Sequence, residues 1–179
     1  MLEPSAATGV PIERQQVILA AIRENPLGSY VFSVAPGVGK TTLLKELEQC
    51  SRAALWKNHG VFFSGMREFQ RSLTAKSRGE GVSGLTTAAS LRRGPSISLR
   101  WSVFLDDFDK ITGTEFARLE LLDFVDAVVE TNAQLALTTN MNKAEFGKFF
   151  ADTIAWRVLK HCTWIEMARE PSNPAARAA

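Results

Sequence analysis

A glycine-rich turn that ends in lysine and threonine is the strongest chemical feature of this sequence. Backbone N–H groups in such a turn point into one concave space, and the start of a following helix adds partial positive charge. A polyphosphate fits there, with Lys40 at the β- and γ-phosphates and the Thr41 hydroxyl on Mg²⁺. The residues expected to bind the nucleotide are Ala35, Pro36, Gly37, Val38, Gly39, Lys40, Thr41 and Thr42.

The segments on either side of this turn have the composition of a strand and a helix. Residues 30–34 are mostly β-branched or aromatic, and residues 43–48 favour a helix. Val34 stands where the motif G-x-x-x-x-G-K-[ST] has its first glycine. A chance Gly-Lys-Thr at an ordinary turn is the alternative, but the flanking strand and helix favour a nucleoside triphosphate site.

A pair of carboxylates, Asp106 and Asp107, follows an apolar run. Proteins that bind a triphosphate present a carboxylate to Mg²⁺ at the end of an apolar strand. We expect Asp106 to hold the metal through water, and Asp107 to orient or deprotonate the attacking water as a general base. An acidic turn after a buried strand is the alternative. The next charged residues, Asp109 and Lys110, could pair with each other or with neighbours and are expected on the surface.

A polar amide, Asn140, ends a later apolar run, 135–139. Its side chain could hydrogen-bond the γ-phosphate or the lytic water. Asparagine is also common in turns after strands, and taken alone Asn140 would be assigned to a turn.

The elements that must position these residues alternate along the chain. Apolar β-rich runs predict strands at 30–34, 61–64, 102–105, 135–139 and 163–167. Periodicity and turn signals predict helices at 11–25, 43–54, 65–76, 88–91, 113–130, 143–150 and 153–160. This alternation implies an α/β fold with a parallel sheet covered on both faces. Ligands bind beyond the carboxyl ends of such strands, where the candidate residues fall.

Two helical segments show apolar residues at helical spacing. In the segment 65–76, Phe69 and Leu73 share one face and are expected in the core. In the segment 113–130, apolar residues recur three or four positions apart along one face of the helix: Phe116, Leu119, Leu122, Val125 and Val129.

Length and composition describe one ordinary globular domain. The chain has 179 residues, 45% of them apolar and 22% charged, and its net charge of +2 does not by itself imply a polyanion partner. We expect tails at 1–10 and 169–179, the second disordered, around a domain at 11–168. Cys50 and Cys162 have no metal-ligand spacing and are expected to be reduced thiols. With no signal peptide and no membrane span in view, we expect a cytoplasmic protein.

Together, three motifs resemble the core of the AAA+ ATPases. They are Ala35–Thr42, Val103–Asp107 and Leu137–Asn140. More narrowly the chain is similar to the DnaC-type helicase loaders and the IstB transposition ATPases. The resemblance implies a three-layer α-β-α P-loop NTPase with a five-stranded, mostly parallel sheet, with ATP and Mg²⁺ as ligands.

The resemblance also implies roles for single residues. Lys40 and Thr41 would be the Walker A lysine and metal ligand, Asp106 and Asp107 the Walker B pair, and Asn140 the first sensor. Arg157 resembles the arginine finger that enters a neighbour's site, which would require a homo-oligomer. The alternative for Arg157 is an exposed helix arginine. We further expect the core to lack a full C-terminal helical lid and the family's partner-binding N-terminal domain.

A basic region, Arg67–Arg100, holds seven basic and two acidic residues, a local net charge of +5. Arginine in Gly- and Ser-rich loops suits a phosphate backbone, and in the resembled loaders this region contacts single-stranded DNA. Ordinary solvated surface charge is the alternative. The resemblance adds a replicative helicase or a transposase as a protein partner.

Three functions therefore compete. The first is an ATP-hydrolysing helicase-loader-like factor in DNA replication, or an IstB-like transposition ATPase. The second is an adaptor that binds nucleotide without hydrolysis, for which Val34 is the hint. The third is a small kinase whose acceptor lid would be at Arg92 and Arg93.

Overall fold

The computed structural model describes residues 12–33, 39–54, 60–78, 87–93, 101–111 and 114–167. Both predicted tails lie outside these ranges. The elements within them are α1 (Ile12–Glu24), β1 (Tyr30–Ser33), α2 (Lys40–Ala54), β2 (Gly60–Gly65), α3 (Met66–Ser77), α4 (Ala88–Arg93), β3 (Trp101–Asp106), a 3₁₀ turn (Phe108–Lys110), α5 (Glu115–Glu130), β4 (Gln134–Thr139), α6 (Lys143–His161) and β5 (Thr163–Glu166).

The five strands form one parallel sheet in the order β2-β3-β4-β1-β5. The predicted α/β class and five-stranded sheet are confirmed. Leu105 of β3 pairs with Leu137 of β4, and Ser33 of β1 pairs with Thr139 of β4. The ends of β1, β3 and β4 therefore meet at one edge, where the chain continues into the residues predicted to form the site.

Helices cover both faces of the sheet, which gives the three expected layers. On one face α1 and α2 pack against Phe32 and Phe104. On the other face α3, α5 and α6 pack against Val103 and Leu105. Successive residues of a strand point to opposite faces, so an uninterrupted apolar run such as β3 can serve both layers. Phe69 and its neighbour Leu73 lie in the core as predicted.

The apolar face predicted for α5 is only partly buried. Val125 is buried and Leu122 packs against the core, but Phe116, Leu119 and Val129 are 45%, 58% and 37% exposed. The buried side chains of the helix are Ala117, Leu121, Phe124, Val125, Ala127 and Val128. This helix is apolar on two faces with the same spacing, so periodicity alone could not choose between them.

The two helices predicted at 143–150 and 153–160 are one continuous helix, α6. It begins with the expected capping box, in which Asn142 accepts from the backbone N–H of Glu145 and the Glu145 side chain accepts from that of Asn142. Phe146, Phe150, Ile154 and Val158 recur every four residues and are all buried. One apolar stripe therefore runs through the proposed break, so the helix does not stop there.

Two further findings concern the cysteines and the length of the helices. Cys50 and Cys162 are both free thiols, as expected. No helix within the described ranges is long and apolar enough to cross a membrane.

Candidate nucleotide-binding site

The start of α2 and the end of β3 lie side by side at the carboxyl edge of the sheet. The Thr41 hydroxyl donates to the carboxylate of Asp106, at 2.9 Å from one oxygen and 3.1 Å from the other. The helix reaches this position because α2 packs across β3 and β4. A hydroxyl and a carboxylate that are 65 positions apart in sequence are thus close enough to share one small ion.

Lys40 and Asn140 meet beside this pair. The Lys40 ammonium donates to the side-chain oxygen of Asn140 at 2.9 Å, and Lys40 as a whole is only 6% exposed. Burial lowers the pKa of the Lys40 ammonium, and three nearby carboxylates oppose that shift in part. A buried cation at a helix start is a strong binding group for a phosphate.

Thr138, for which the sequence predicted no role, joins Asp106 and Asp107 to β4. Its hydroxyl donates to Asp106 at 2.6 Å and accepts from the backbone N–H of Asp107 at 2.8 Å. Thr138 is fully buried. The sequence feature that could have identified Thr138 is a polar residue inside an apolar strand, since a buried hydroxyl requires hydrogen-bond partners.

The glycine-rich turn is described only at its end. Gly39 has φ 80°, in the left-handed region that residues with a Cβ rarely adopt. Thr42, the last predicted nucleotide contact, is exposed on the first turn of α2. Val34 and the predicted contacts Ala35, Pro36, Gly37 and Val38 lie outside the described residues.

Asp107 is exposed at the edge of the site, and its backbone is in an unusual conformation. Its φ is 54° and its ψ is 50°, in the left-handed region. A non-glycine residue held there costs about 1–3 kcal/mol, and such residues concentrate at functional sites. The hydrogen bond from its N–H to Thr138 helps to hold this conformation.

The prediction that Asp109 is a surface residue is wrong. Its side chain is 6% exposed and accepts from the backbone N–H of Asn140 at 2.9 Å. The 3₁₀ turn that follows Asp107 directs the Asp109 carboxylate toward Asn140. The predicted pairing with Lys110 is present at 3.4 Å, and the Lys110 side chain is 40% exposed.

The donor set fits Mg²⁺ with a triphosphate. Mg²⁺ prefers hard oxygen ligands and binds through one or two carboxylates plus phosphate oxygens and water. Thr41 and Asp106 supply such oxygens, and Lys40 supplies the charge for the phosphates. Among the described residues no cluster of three or more His, Cys, Asp or Glu could hold a metal by itself.

Arg157 lies away from these residues. It is near the far end of α6, which starts beside Asn140 and runs away from that edge of the sheet. Its guanidinium forms an ion pair with Asp126 of α5 and donates to the carbonyl of Thr153 at 2.9 Å. Arg157 is therefore not brought to the site of its own chain.

A groove along α3 is lined by three arginines of the basic region. Its volume is about 510 Å³, and its lining includes Arg67, Arg71, Arg78 and Lys110. No acidic side chain of the described segments forms an ion pair with the three arginines. Their charge is directed at solvent, as an anion-binding surface requires.

Arg92 does not belong to this groove. It donates to Asp123 at 2.7 Å and to Glu130 at 2.8 Å, which ties α4 to α5. An arginine held by two carboxylates offers less charge to an external phosphate. The kinase hypothesis, which needs an arginine lid at Arg92 and Arg93, loses support from this contact.

The fold matches that of solved structures of AAA+ P-loop nucleoside triphosphatases. The chain is similar to the DnaC helicase loader crystal structure, with a TM-score of 0.69 and 16% identity over 93% of this chain and 94% of that chain. At this level of identity the likeness establishes the fold.

Two DnaA structures show the same fold. AMPPCP-bound DnaA from Aquifex aeolicus has a TM-score of 0.63 and 15% identity over 87% of this chain. DnaA bound to AMPPCP and single-stranded DNA has a TM-score of 0.64 and 14% identity over 86%. This chain spans only 46% and 45% of those DnaA chains. No protein-family model matches the sequence, and no curated protein matches it.

Proposed function

We propose that this chain is a Mg²⁺-dependent ATPase that acts on single-stranded DNA in replication, in the manner of a helicase loader. One observation carries the proposal: two hydrogen-bonded pairs, Lys40 with Asn140 and Thr41 with Asp106, lie side by side at the carboxyl edge of the parallel sheet, because Lys40 and Thr41 are consecutive residues. The similarity to DnaC and to nucleotide-bound DnaA supports the class of ligand.

Each residue of the two pairs then has a task. Lys40 exchanges Asn140 for the β- and γ-phosphates, and the freed Asn140 side chain turns to the γ-phosphate or the lytic water. Thr41 and Asp106 hold Mg²⁺, which when bound neutralises charge on the phosphate oxygens. Asp107 is exposed beside them and orients or deprotonates the attacking water.

The groove along α3 is the proposed contact for single-stranded DNA. Three arginines and Lys110 form a positive surface that a phosphate backbone would follow. That one DnaA of the same fold binds single-stranded DNA supports this ligand. A replicative helicase is the proposed protein partner, and a transposase is the alternative. Binding of this chain to each of the two in the presence of DNA would decide between them.

ATP hydrolysis in the presence of Mg²⁺ should rise when a single-stranded oligonucleotide is added. The stimulation should weaken as salt increases, because the contact is largely to phosphates. The double charge reversal Arg67→Glu/Arg71→Glu should remove it, whereas Arg52→Glu on α2 should not. Turnover that is the same with and without DNA at low salt would contradict the DNA-dependent part of the proposal.

Arg157→Ala should lower turnover about a hundredfold, the usual cost of removing one group that stabilises the transition state. The reason is that Arg157 would act in the site of a neighbouring subunit, after leaving Asp126. Mixing Arg157→Ala with Lys40→Ala protein should restore part of the activity, since each supplies what the other lacks. Asp126→Asn, which breaks the ion pair and keeps the arginine, is the control. If the mixture is no more active than either variant alone, Arg157 does not act as an arginine finger in the site of a neighbouring subunit.

A further inference from the structure

Asp109 belongs to no motif, yet it is the acidic residue most closely bound to Asn140. We propose that Asp109 is a positioning residue, which fixes the side-chain amide of Asn140 so that its oxygen faces Lys40. The orientation of Asn140 is inferred from the hydrogen bonds described next. The effect of Asp109 on turnover rests on the proposed function.

The contacts form a chain of three residues. The backbone N–H of Asn140 donates to Asp109 at 2.9 Å, and the side-chain NH₂ donates at 3.2 and 3.4 Å. The side-chain oxygen of Asn140 then accepts from Lys40 at 2.9 Å. The amide of Asn140 thus lies between a carboxylate and an ammonium group.

The charge of Asp109 determines which way that amide turns. An ionised carboxylate only accepts hydrogen bonds, and an ammonium group only donates them. If the side-chain amide of Asn140 were flipped, its oxygen would face the carboxylate of Asp109 and its NH₂ group would face the ammonium group of Lys40. Neither arrangement allows a hydrogen bond. Burial alone would raise the pKa of Asp109, but hydrogen bonds from Asn140 and the charge of Lys110 hold that pKa below its usual range. The carboxylate is therefore an anion at neutral pH.

The 3₁₀ turn holds Asp109 in place. Phe108 is fully buried and packs on Phe150 and Phe146, with ring centroids 4.8 and 5.8 Å away. Since a large aromatic side chain anchors the turn on α6, the carboxylate that follows has little freedom to move. Lys110 adds a contact from the outer side at 3.4 Å.

The lengths of the bonds suit a residue that must hold Asn140 and still release its side chain. The 2.9 Å bond is to the backbone and can persist when nucleotide binds. The longer side-chain bonds, 3.2 and 3.4 Å, are weaker and can be exchanged for a phosphate or a water. Asp109 would thus set the starting orientation of Asn140 in each catalytic cycle.

A double-mutant cycle on turnover tests the functional part. Asp109→Ala should lower kcat about ten- to a hundredfold with a smaller change in KM, as removal of orienting partners does. In an Asn140→Ala background the same change should have little further effect, because Asp109 acts through Asn140. Asp109→Asn, which keeps one acceptor oxygen, should be intermediate. Asp123→Ala, at an exposed position of α5, is the control. Additive losses would overturn the inference.

Amide hydrogen exchange tests the orientation without relying on hydrolysis. The backbone and side-chain N–H protons of Asn140 should exchange faster in Asp109→Ala than in the wild type, and the control should match the wild type. Unchanged exchange would overturn the inference whatever the turnover. If the wild-type protein hydrolyses no ATP, the proposed function fails, and exchange still decides whether Asp109 holds Asn140.

Discussion

Lys40→Ala should reduce ATP hydrolysis about a thousandfold, at the upper end of the cost of removing one electrostatic stabiliser. The expected loss is large because Lys40 is a full charge that is 6% exposed and sits at the first residue of α2. Water cannot replace it there, and the charged side chains that remain close to its position include the carboxylates of Asp106 and Asp107. Nucleotide affinity should fall as well, because Lys40 contacts the phosphates before and during the reaction.

The measurements for Lys40 are steady-state hydrolysis and the binding of a fluorescent ATP analogue. Lys45→Ala is the matched control, since Lys45 is exposed on the same helix and should change neither quantity. The fold should survive, because burial already lowers the pKa of Lys40 and so disfavours its charged form. A Lys40→Ala protein that binds nucleotide like the wild type would point to a different site. If neither the wild type nor the Lys40→Ala variant hydrolyses ATP, the adaptor that binds nucleotide without hydrolysis is favoured.

The sheet and the meeting of Lys40, Thr41, Asp106 and Asn140 could be predicted because each depends on local sequence. Apolar runs that end in polar residues mark the carboxyl ends of strands, and parallel strands bring those ends to one edge. The pairing of Thr41 with Asp106 follows from that edge and from the start of α2. The candidate residues could thus be assigned to one edge of the sheet from the strand ends and the start of α2.

What could not be predicted depends on contacts between distant elements. Asp109 is adjacent to Lys110 and looked like half of a surface pair until the 3₁₀ turn directed it to Asn140. Arg92 carries no sign in its own segment that two carboxylates of α5 would hold it. The buried face of α5 was ambiguous because both of its faces are apolar. In each case the deciding partner comes from another element.

Asp106→Asn should separate nucleotide binding from hydrolysis. The amide has nearly the same shape as the carboxylate and keeps one oxygen that can accept from Thr138 or Thr41. Its NH₂ group cannot bind a cation, so the metal loses its charged ligand. Loss of metal assistance is worth several kcal/mol, and about 4 kcal/mol corresponds to roughly a thousandfold in rate. Lys40 remains, so binding of the nucleotide should weaken much less than turnover falls.

A Mg²⁺ titration of hydrolysis checks this prediction, together with the affinity for a fluorescent ATP analogue with and without the metal. In the wild type, affinity and rate should both rise with Mg²⁺, whereas in Asp106→Asn the dependence of affinity on the metal should be lost. Asp123→Asn makes the same chemical change at an exposed position and should retain the wild-type titration. Thr41→Ala should weaken the same dependence, and combining it with Asp106→Asn should add little, because both residues would act on one ion. An Asp106→Asn protein that keeps normal, Mg²⁺-dependent turnover would show that the metal binds elsewhere, and the hydrogen bond between Thr41 and Asp106 would then serve only to fasten α2 to β3.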